Sequence, residues 1–169
     1  MNTRHKQTTH VSNDPSERQL QLVTFTLGDE LFAVDIQRVQ EINRMMALTQ
    51  VSQSPPGVEG VINLRGQIIP VFDLRAQFGY PKVEHSERTR IVVVEISEDI
   101  VGFVVDSVQD VFRISSNIIE PSPQMVAPID ARFLSGVANI EDQLIMVIEL
   151  ENLFSPESLK RINNMKHAA

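Results

Sequence analysis

The sequence predicts an all-β chain, in sandwich or barrel form, followed by a C-terminal helix. Three observations predict it. Residues 60–78 (GVINLRGQIIPVFDLRAQF) recur as residues 136–154 (GVANIEDQLIMVIELENLF) at a constant offset of 76, with eight identities in nineteen places. Short runs of alternating or continuous apolar residues are separated by turn signals throughout the chain. A helix-start signal stands near the C-terminus. A lone hairpin is marginal in water, so each repeated unit must recruit neighbouring strands. Two small closed barrels packed together meet that need and remove most strand edges.

The elements follow in order. Met1–Glu17 is rich in Thr, Ser, Asn and charge and is expected to be a disordered tail. Gln19–Leu27 alternates polar and apolar residues and reads as a strand; Gly28-Asp29-Glu30 turns the chain into a returning strand, Leu31–Val34. Asp35–Asn43 is ambiguous. Ile36, Val39 and Ile42 fit a one-sided helical turn, while Val39–Asn43 also fits a short strand. Ser52–Gly57 is a loop. Val58–Leu64 and Gln67–Asp73 are strands joined at Arg65-Gly66, where Gly66 supplies the positive φ of a tight turn. Pro70 cannot donate to a ladder, which predicts an edge or a bulge.

Pro81–Arg90 is a charged loop. Arg90–Ile96 and Ile100–Val105 form a hairpin across Ser97-Glu98-Asp99, and Val108–Ile114 is a further strand. Ser115–Pro128 contains three prolines and reads as a long irregular loop. Gly136–Ile140 and Leu144–Leu150 are the repeated hairpin. Ser155-Pro156-Glu157 combines a capping hydroxyl, a proline at the first helical position and an acid near the positive end of the helix dipole. Leu159, Ile162 and Met165 then supply an apolar docking stripe. The expected organisation is a tail over 1–17, a globular unit of two intertwined barrels over 18–155, and a C-terminal helix and tail over 156–169.

Composition narrows the function classes. The 169-residue chain is 42% hydrophobic, enough for a sizeable core. Its net charge of −7 and lack of a basic block argue against binding nucleic acid or an anionic membrane. With 5% aromatic residues and no Trp, it offers a poor base-stacking platform. The absence of Cys excludes disulfides, thiolate metal sites and a Cys nucleophile. Met1–Arg18 has no apolar segment of the secretory type, and no apolar run approaches the roughly 20 residues of a membrane span. The chain is therefore expected to be cytoplasmic.

Chemistry-bearing motifs are sparse. His5, His10, His85 and His167 lack metal-site spacing, and no nucleophile elbow or phosphate-binding glycine loop appears. The acid pairs Asp29/Glu30, Glu98/Asp99 and Glu141/Asp142 all fall in predicted turns, where solvation explains them better than acid–base catalysis. No catalytic residue, cofactor or metal is predicted. A small hydrolase using Asp73 or another carboxylate with Arg65 is the enzymatic alternative. The other signals concern recognition. Arg65 occupies the hairpin tip where the second repeat has Glu141; it is a solvated turn residue, one tied to a nearby acid, or a planar fork holding a carboxylate on a partner or a neighbouring loop. Val39, Glu41 and Ile42 place two apolar side chains around an acid, as core or as a recognition patch. Met125-Val126 is an apolar pair within the proline loop.

These residues resemble the chemotaxis coupling family, CheW. The segment Gly60, Val61, Asn63, Leu64, Arg65, Gly66, Pro70, Val71, Asp73, Leu74 and Arg75 is similar to the family's most recognisable motif. Phe25–Glu30 leading into Val39-Gln40-Glu41-Ile42, and Val101–Asp106, extend the likeness from about Gln19 to Phe154. The resemblance implies two SH3-like five-stranded barrels side by side. It also implies a non-enzymatic scaffold that joins chemoreceptor cytoplasmic tips to a chemotaxis histidine kinase and is recruited to membrane-bound arrays through those partners. Val39, Glu41, Ile42, Gly60, Arg65 and Gly102 would serve the receptor side or shape an apolar groove between the barrels. Met125 would contact the kinase, although the family often has an aromatic there. An adaptor of a different chemosensory system, such as a pilus-type pathway, carries the same motifs.

Overall fold

The structure is a computed structural model that describes residues 18–52, 57–121, 129–155 and, in the C-terminal segment, 157, 158, 160–162 and 164. The expected tail, Met125 and much of the proline loop lie outside the described residues. The strands are β1 (Gln19–Leu27), β2 (Glu30–Asp35), β3 (Val39–Arg44), β4 (Val58–Leu64), β5 (Gln67–Asp73), β6 (Arg90–Ile96), β7 (Asp99–Val105), β8 (Ser107–Ser115), β9 (Ile119–Glu120), β10 (Leu134–Ile140) and β11 (Gln143–Ile148). A short helix, α1 (Leu74–Phe78), follows β5.

The strands form two sheets, in the orders β3-β6-β7-β5-β4 and β8-β1-β2-β11-β10-β9. Each closes on itself. The chain leaving edge strand β3 reaches Thr49, which pairs with Val61 on the opposite edge strand β4. The chain leaving β8 reaches β9, which pairs with β10. Each barrel therefore has five long strands and a closing segment. The second barrel takes β1 and β2 from the N-terminus. In strand position, β3, β4, β5, β6 and β7 correspond to β8, β10, β11, β1 and β2, so one barrel is a circular permutation of the other.

The repeat explains this likeness. Ile62, Ile69 and Val71 fill the first barrel, and their counterparts Ala138, Ile145 and Val147 fill the second. Gly60 and Gly136 are counterparts too. A Cβ on Gly60 would stand 2.8 Å from the Thr49 carbonyl oxygen, and one on Gly136 would stand 2.5 Å from that of Glu120. Each glycine admits its barrel's closing segment.

A third and larger core lies between the barrels and draws on both sheets, including Val23, Phe25, Phe32, Phe72, Val92 and Phe103. The last residues of the repeats are exchanged across it. Phe78, ending the first repeat, stacks on Phe32 of the other sheet at 5.4 Å. Phe154, ending the second, meets Phe72 at 4.5 Å and Phe103 at 6.0 Å. The described residues of the segment after Pro156 are helical, and Ile162 from it is fully buried in this seam.

One local expectation needs correction, and two others gain detail. Pro70 lies in an interior strand, not at an edge. Val61, opposite Pro70, spends its N–H and C=O on Thr49, so the Val61–Pro70 pair is not hydrogen-bonded. The missing donor of Pro70 points toward β7, where pairing with β5 starts only at Val71. Asp35–Asn43 combines both readings: a 3-10 turn at Ile36–Arg38, capped by the Asp35 carboxylate on the Gln37 N–H at 2.9 Å, leads into β3. In the tight turn at Arg65-Gly66, both residues have positive φ (53° and 84°), as a type I′ hairpin turn requires.

Polar groups fix the barrels' mutual orientation. Asp106, between β7 and β8, takes a two-pronged fork from Arg75 of α1, with Nε to Oδ1 at 2.8 Å and Nη2 to Oδ2 at 2.6 Å. The Gly28 N–H, in the β1–β2 turn, donates to the same Oδ2 at 2.7 Å. Burial raises the Asp106 pKa, but the Arg75 fork, the Gly28 N–H and the Arg75 charge outweigh it and leave the carboxyl below its ordinary value. Tyr80 donates its hydroxyl to Glu30, and burial together with that bond raises its pKa. On another side, Glu151 holds Arg38 at 2.5 Å and accepts from Ser97 at 2.6 Å.

Because the folded pKa of Asp106 is depressed, its contribution is present above the unfolded value of about 4 and is lost as pH falls through the folded value. Asp106→Asn should cost about 1–2 kcal/mol at pH 7. Urea unfolding at pH 7 and in acid checks this: the gap between the two proteins should narrow as pH falls below about 4.

Candidate functional site

The predicted recognition residues gather on the first barrel, but they do two different jobs. Along β3, exposure alternates. Val39, Glu41 and Asn43 are half-buried, while Gln40, Ile42 and Arg44 face outward. Val39 packs against the seam core. A bulge between Val39 and Glu41 shifts the register against β6. Ile42 is 40% exposed, one of few large apolar side chains so open among the described residues.

Arg65 reaches from the β4–β5 hairpin tip to Glu41, with Nη2 3.2 Å from Oε1. The pair is lopsided: the Arg65 side chain is 83% exposed and that of Glu41 is 28% exposed. Glu41 thus orients the guanidinium while most of it stays open to solvent. Beside the pair is a concavity of about 140 Å³, whose lining includes Gln40, Leu64, Gln67, Ile69 and Ile100. Its floor is aliphatic and its rim polar, which suits recognition of a protein surface.

Gly60 and Gly102 are buried and cannot touch a partner. Gly102 pairs with Val71 on one side and Val93 on the other. A Cβ there would stand 2.9 Å from Cγ2 of Ile91, a fully buried β-branched residue with little rotamer freedom. These glycines shape the barrel beneath the patch. Met125, the expected kinase contact, lies outside the described residues.

The geometry separates Asp73 from Arg65, the pair named for the hydrolase alternative; the carboxylate beside Arg65 is Glu41. Asp73 and Arg65 stand at opposite ends of β5, on the order of 20 Å apart. Asp73 is buried and accepts the Arg75 N–H at 2.9 Å, capping α1. Among the described residues, no group of three or more His, Cys, Asp or Glu could hold a metal ion.

One element escaped the sequence reading. β8 carries Val108-Gln109-Asp110-Val111-Phe112-Arg113, closely matching Val39-Gln40-Glu41-Ile42-Asn43-Arg44 of β3. The two strands occupy equivalent places in the two sheets. Val108 packs against the seam core as Val39 does, and Val111 is 52% exposed where Ile42 is 40%. The signal is legible, but its offset is 69, not 76, because the permuted connection changes the spacing. The chemistry differs in one respect: the hairpin tip that bears Arg65 in the first barrel bears Glu141 in the second, so no acid–base pair forms with Asp110.

Comparison with known proteins agrees with this architecture. The family model described as CheW-like domain matches residues 21–158. The chain is 32% identical to the chemotaxis protein CheW of Klebsiella aerogenes over 145 residues, covering 86% of this chain and 87% of that one. It is 34% identical to chemotaxis protein CheW of Rhizobium meliloti, covering 88% and 93%. The crystal structure of scaffolding protein TtCheW from Thermoanaerobacter tengcongensis superposes with a TM-score of 0.76 at 39% identity, covering 89% of this chain and 96% of that one.

The division between exposed and buried members is testable by urea unfolding. Arg65→Ala should change stability by less than about 1 kcal/mol, as an exposed ion pair does. Gly102→Ala should cost about 1–3 kcal/mol through overpacking against Ile91.

Proposed function

The chain belongs to the CheW-like domain family, and we propose that it is a non-enzymatic scaffold coupling the cytoplasmic tip of chemoreceptors to a chemotaxis histidine kinase in signalling arrays. The observation that carries this reading is the open Arg65, oriented by Glu41 beside an aliphatic-floored concavity on a closed barrel, with the exposed Ile42 on the outer face of the same strand as Glu41. An apolar anchor with an oriented charge at its rim suits the side of a helical hairpin. Val39 supports the patch from the seam side, and Gly60 and Gly102 set the barrel wall beneath it. The names of the matched relatives, chemotaxis and scaffolding proteins, agree with this assignment.

The proposed mechanism is assembly. Individual contacts can be weak, because tethering within an array makes later contacts effectively intramolecular. A receptor that prefers one arrangement of the lattice then biases the kinase through differential contact energy. Met125 is assigned to the kinase side, and array membership places the protein at the membrane through its partners.

Kinase autophosphorylation, measured with receptor-bearing membranes with and without the pure chain, tests the reading. The chain should make kinase activity receptor-dependent. Ile42→Asp and Arg65→Glu should each weaken retention on receptor membranes by about 10-fold or more, the scale of one lost interface anchor, while unfolding remains cooperative. Receptor control equal to wild type in both variants would rule out this patch as the docking site.

A further inference from the structure

A second concavity, of about 340 Å³, lies on the other barrel, where β1 begins. Arg18, Gln21, Asp35, Ile36, Gln37 and Arg113 contribute to its wall. Its charge runs against that of the chain. The protein carries a net −7, yet two guanidinium groups here meet a single carboxylate. That carboxylate, Asp35, already caps the 3-10 turn through the Gln37 N–H. Neither Arg18 nor Arg113 has a carboxylate partner among the described residues.

Arg113 is held but not neutralised. It sits directly across from Gln21 in the β1–β8 ladder. With the Gln21 amide oxygen turned toward it, that oxygen accepts from Arg113 Nε at 2.7 Å and Nη2 at 3.0 Å. A neutral amide thus occupies the place where a carboxylate would ordinarily sit. It fixes the guanidinium plane and leaves the positive charge unneutralised. A pre-oriented planar fork is the usual recognition element for a carboxylate. Half-buried Leu20 and Ile36 add a small aliphatic surface, which matches the methylenes of an acidic side chain. The same 3-10 turn that contributes Ile36 and Gln37 runs directly into Val39 and the β3 patch.

We propose that this concavity is a carboxylate-recognition subsite, and that the carboxylate it takes is a Glu or Asp side chain of the polypeptide docked on β3. The proposal rests on the docking reading given above, and it adds a polar contact that would fix the register of the docked segment.

Two measurements test it, both on the full chain at low ionic strength. The first titrates glutarate, the free counterpart of a glutamate side chain, and follows the NMR signals of the Arg113 and Arg18 Nε–H groups. Saturable movement is expected, with affinity lowered about 10-fold in Arg113→Gln and unchanged in Arg132→Gln, which removes an equal charge elsewhere on the surface. No saturable movement, or movement that survives Arg113→Gln, overturns the site. The second measures retention on receptor-bearing membranes, where Arg113→Gln should lower affinity at least 5-fold. If glutarate binds but Arg113→Gln is retained like wild type while Ile42→Asp is lost, the polypeptide source is overturned and the β3 docking reading stands. If Ile42→Asp and Arg65→Glu are both retained like wild type, the docking reading falls, and with it the polypeptide source.

Discussion

The apolar seam between the barrels is the constraint on which the rest of the structure depends. Each barrel has its own interior, but these are small, and the largest core belongs to neither barrel alone. The closing phenylalanine of each repeat is delivered to the other barrel's side of the seam. Removing either barrel would strip the apolar cover from the other, since the residues facing the seam alternate with those filling the barrel. Val71 points into the first barrel and Phe72 into the seam, and Val147 and Ile148 divide in the same way. The chain is therefore two barrels by topology and one body by packing.

That packing sets where a docking surface can lie. Strand faces turned to the seam or to a barrel interior are spent. What remains open is the outer face of the edge strands and the hairpin tips. β3 and β8 are such edges, and Ile42 and Val111 are exposed on them. The repeat supplies two patches of similar sequence, and the hairpin tips then separate them. Arg65 completes an acid–base pair with Glu41, whereas in the second barrel the corresponding tip and strand residues, Glu141 and Asp110, are both acids. One barrel thereby gains an oriented cation at its hairpin tip, and the other does not. Duplication provided the scaffold twice, and a charge reversal at a solvent-exposed turn made the two copies chemically distinct at little cost to folding.

The fold was legible where the physics is local. β1, β4, β5 and β6 begin and end where period-two alternation and turn residues place them, because pairing and turn geometry act over a few residues. The five-residue helix α1 was missed, since Leu74–Phe78 is too short to show a helical period; its capping by Asp73 is a property of the fold. Pro70 was misplaced at an edge because the rule applies only on the side the nitrogen faces: that side is β7, where pairing starts one residue later, and a bulge in β4 lies one pair away. The site was legible in its members but not in their roles. Glu41 and Arg65 were singled out separately, and only the barrel brings them within 3.2 Å. The Arg75–Asp106 fork joins residues 31 positions apart, and no local signal announces it.

A scaffold of this construction works by holding geometry, and the seam shows how it does so. Apolar packing supplies most of the cohesion between the barrels but, being non-directional, does not set their angle. The bidentate Arg75–Asp106 contact is directional, and the Gly28 N–H joins the β1–β2 turn of one barrel to the same carboxylate that α1 of the other grips. Glu151 ties the barrels again at a separate point. Two directional ties around an apolar seam restrict rotation far more than either alone, because slip about one must stretch the other. Patches on β3 and β8 are thereby kept at a fixed separation. For a protein whose proposed role is to hold two partners in one lattice, rigidity between the barrels matters more than the strength of any single contact.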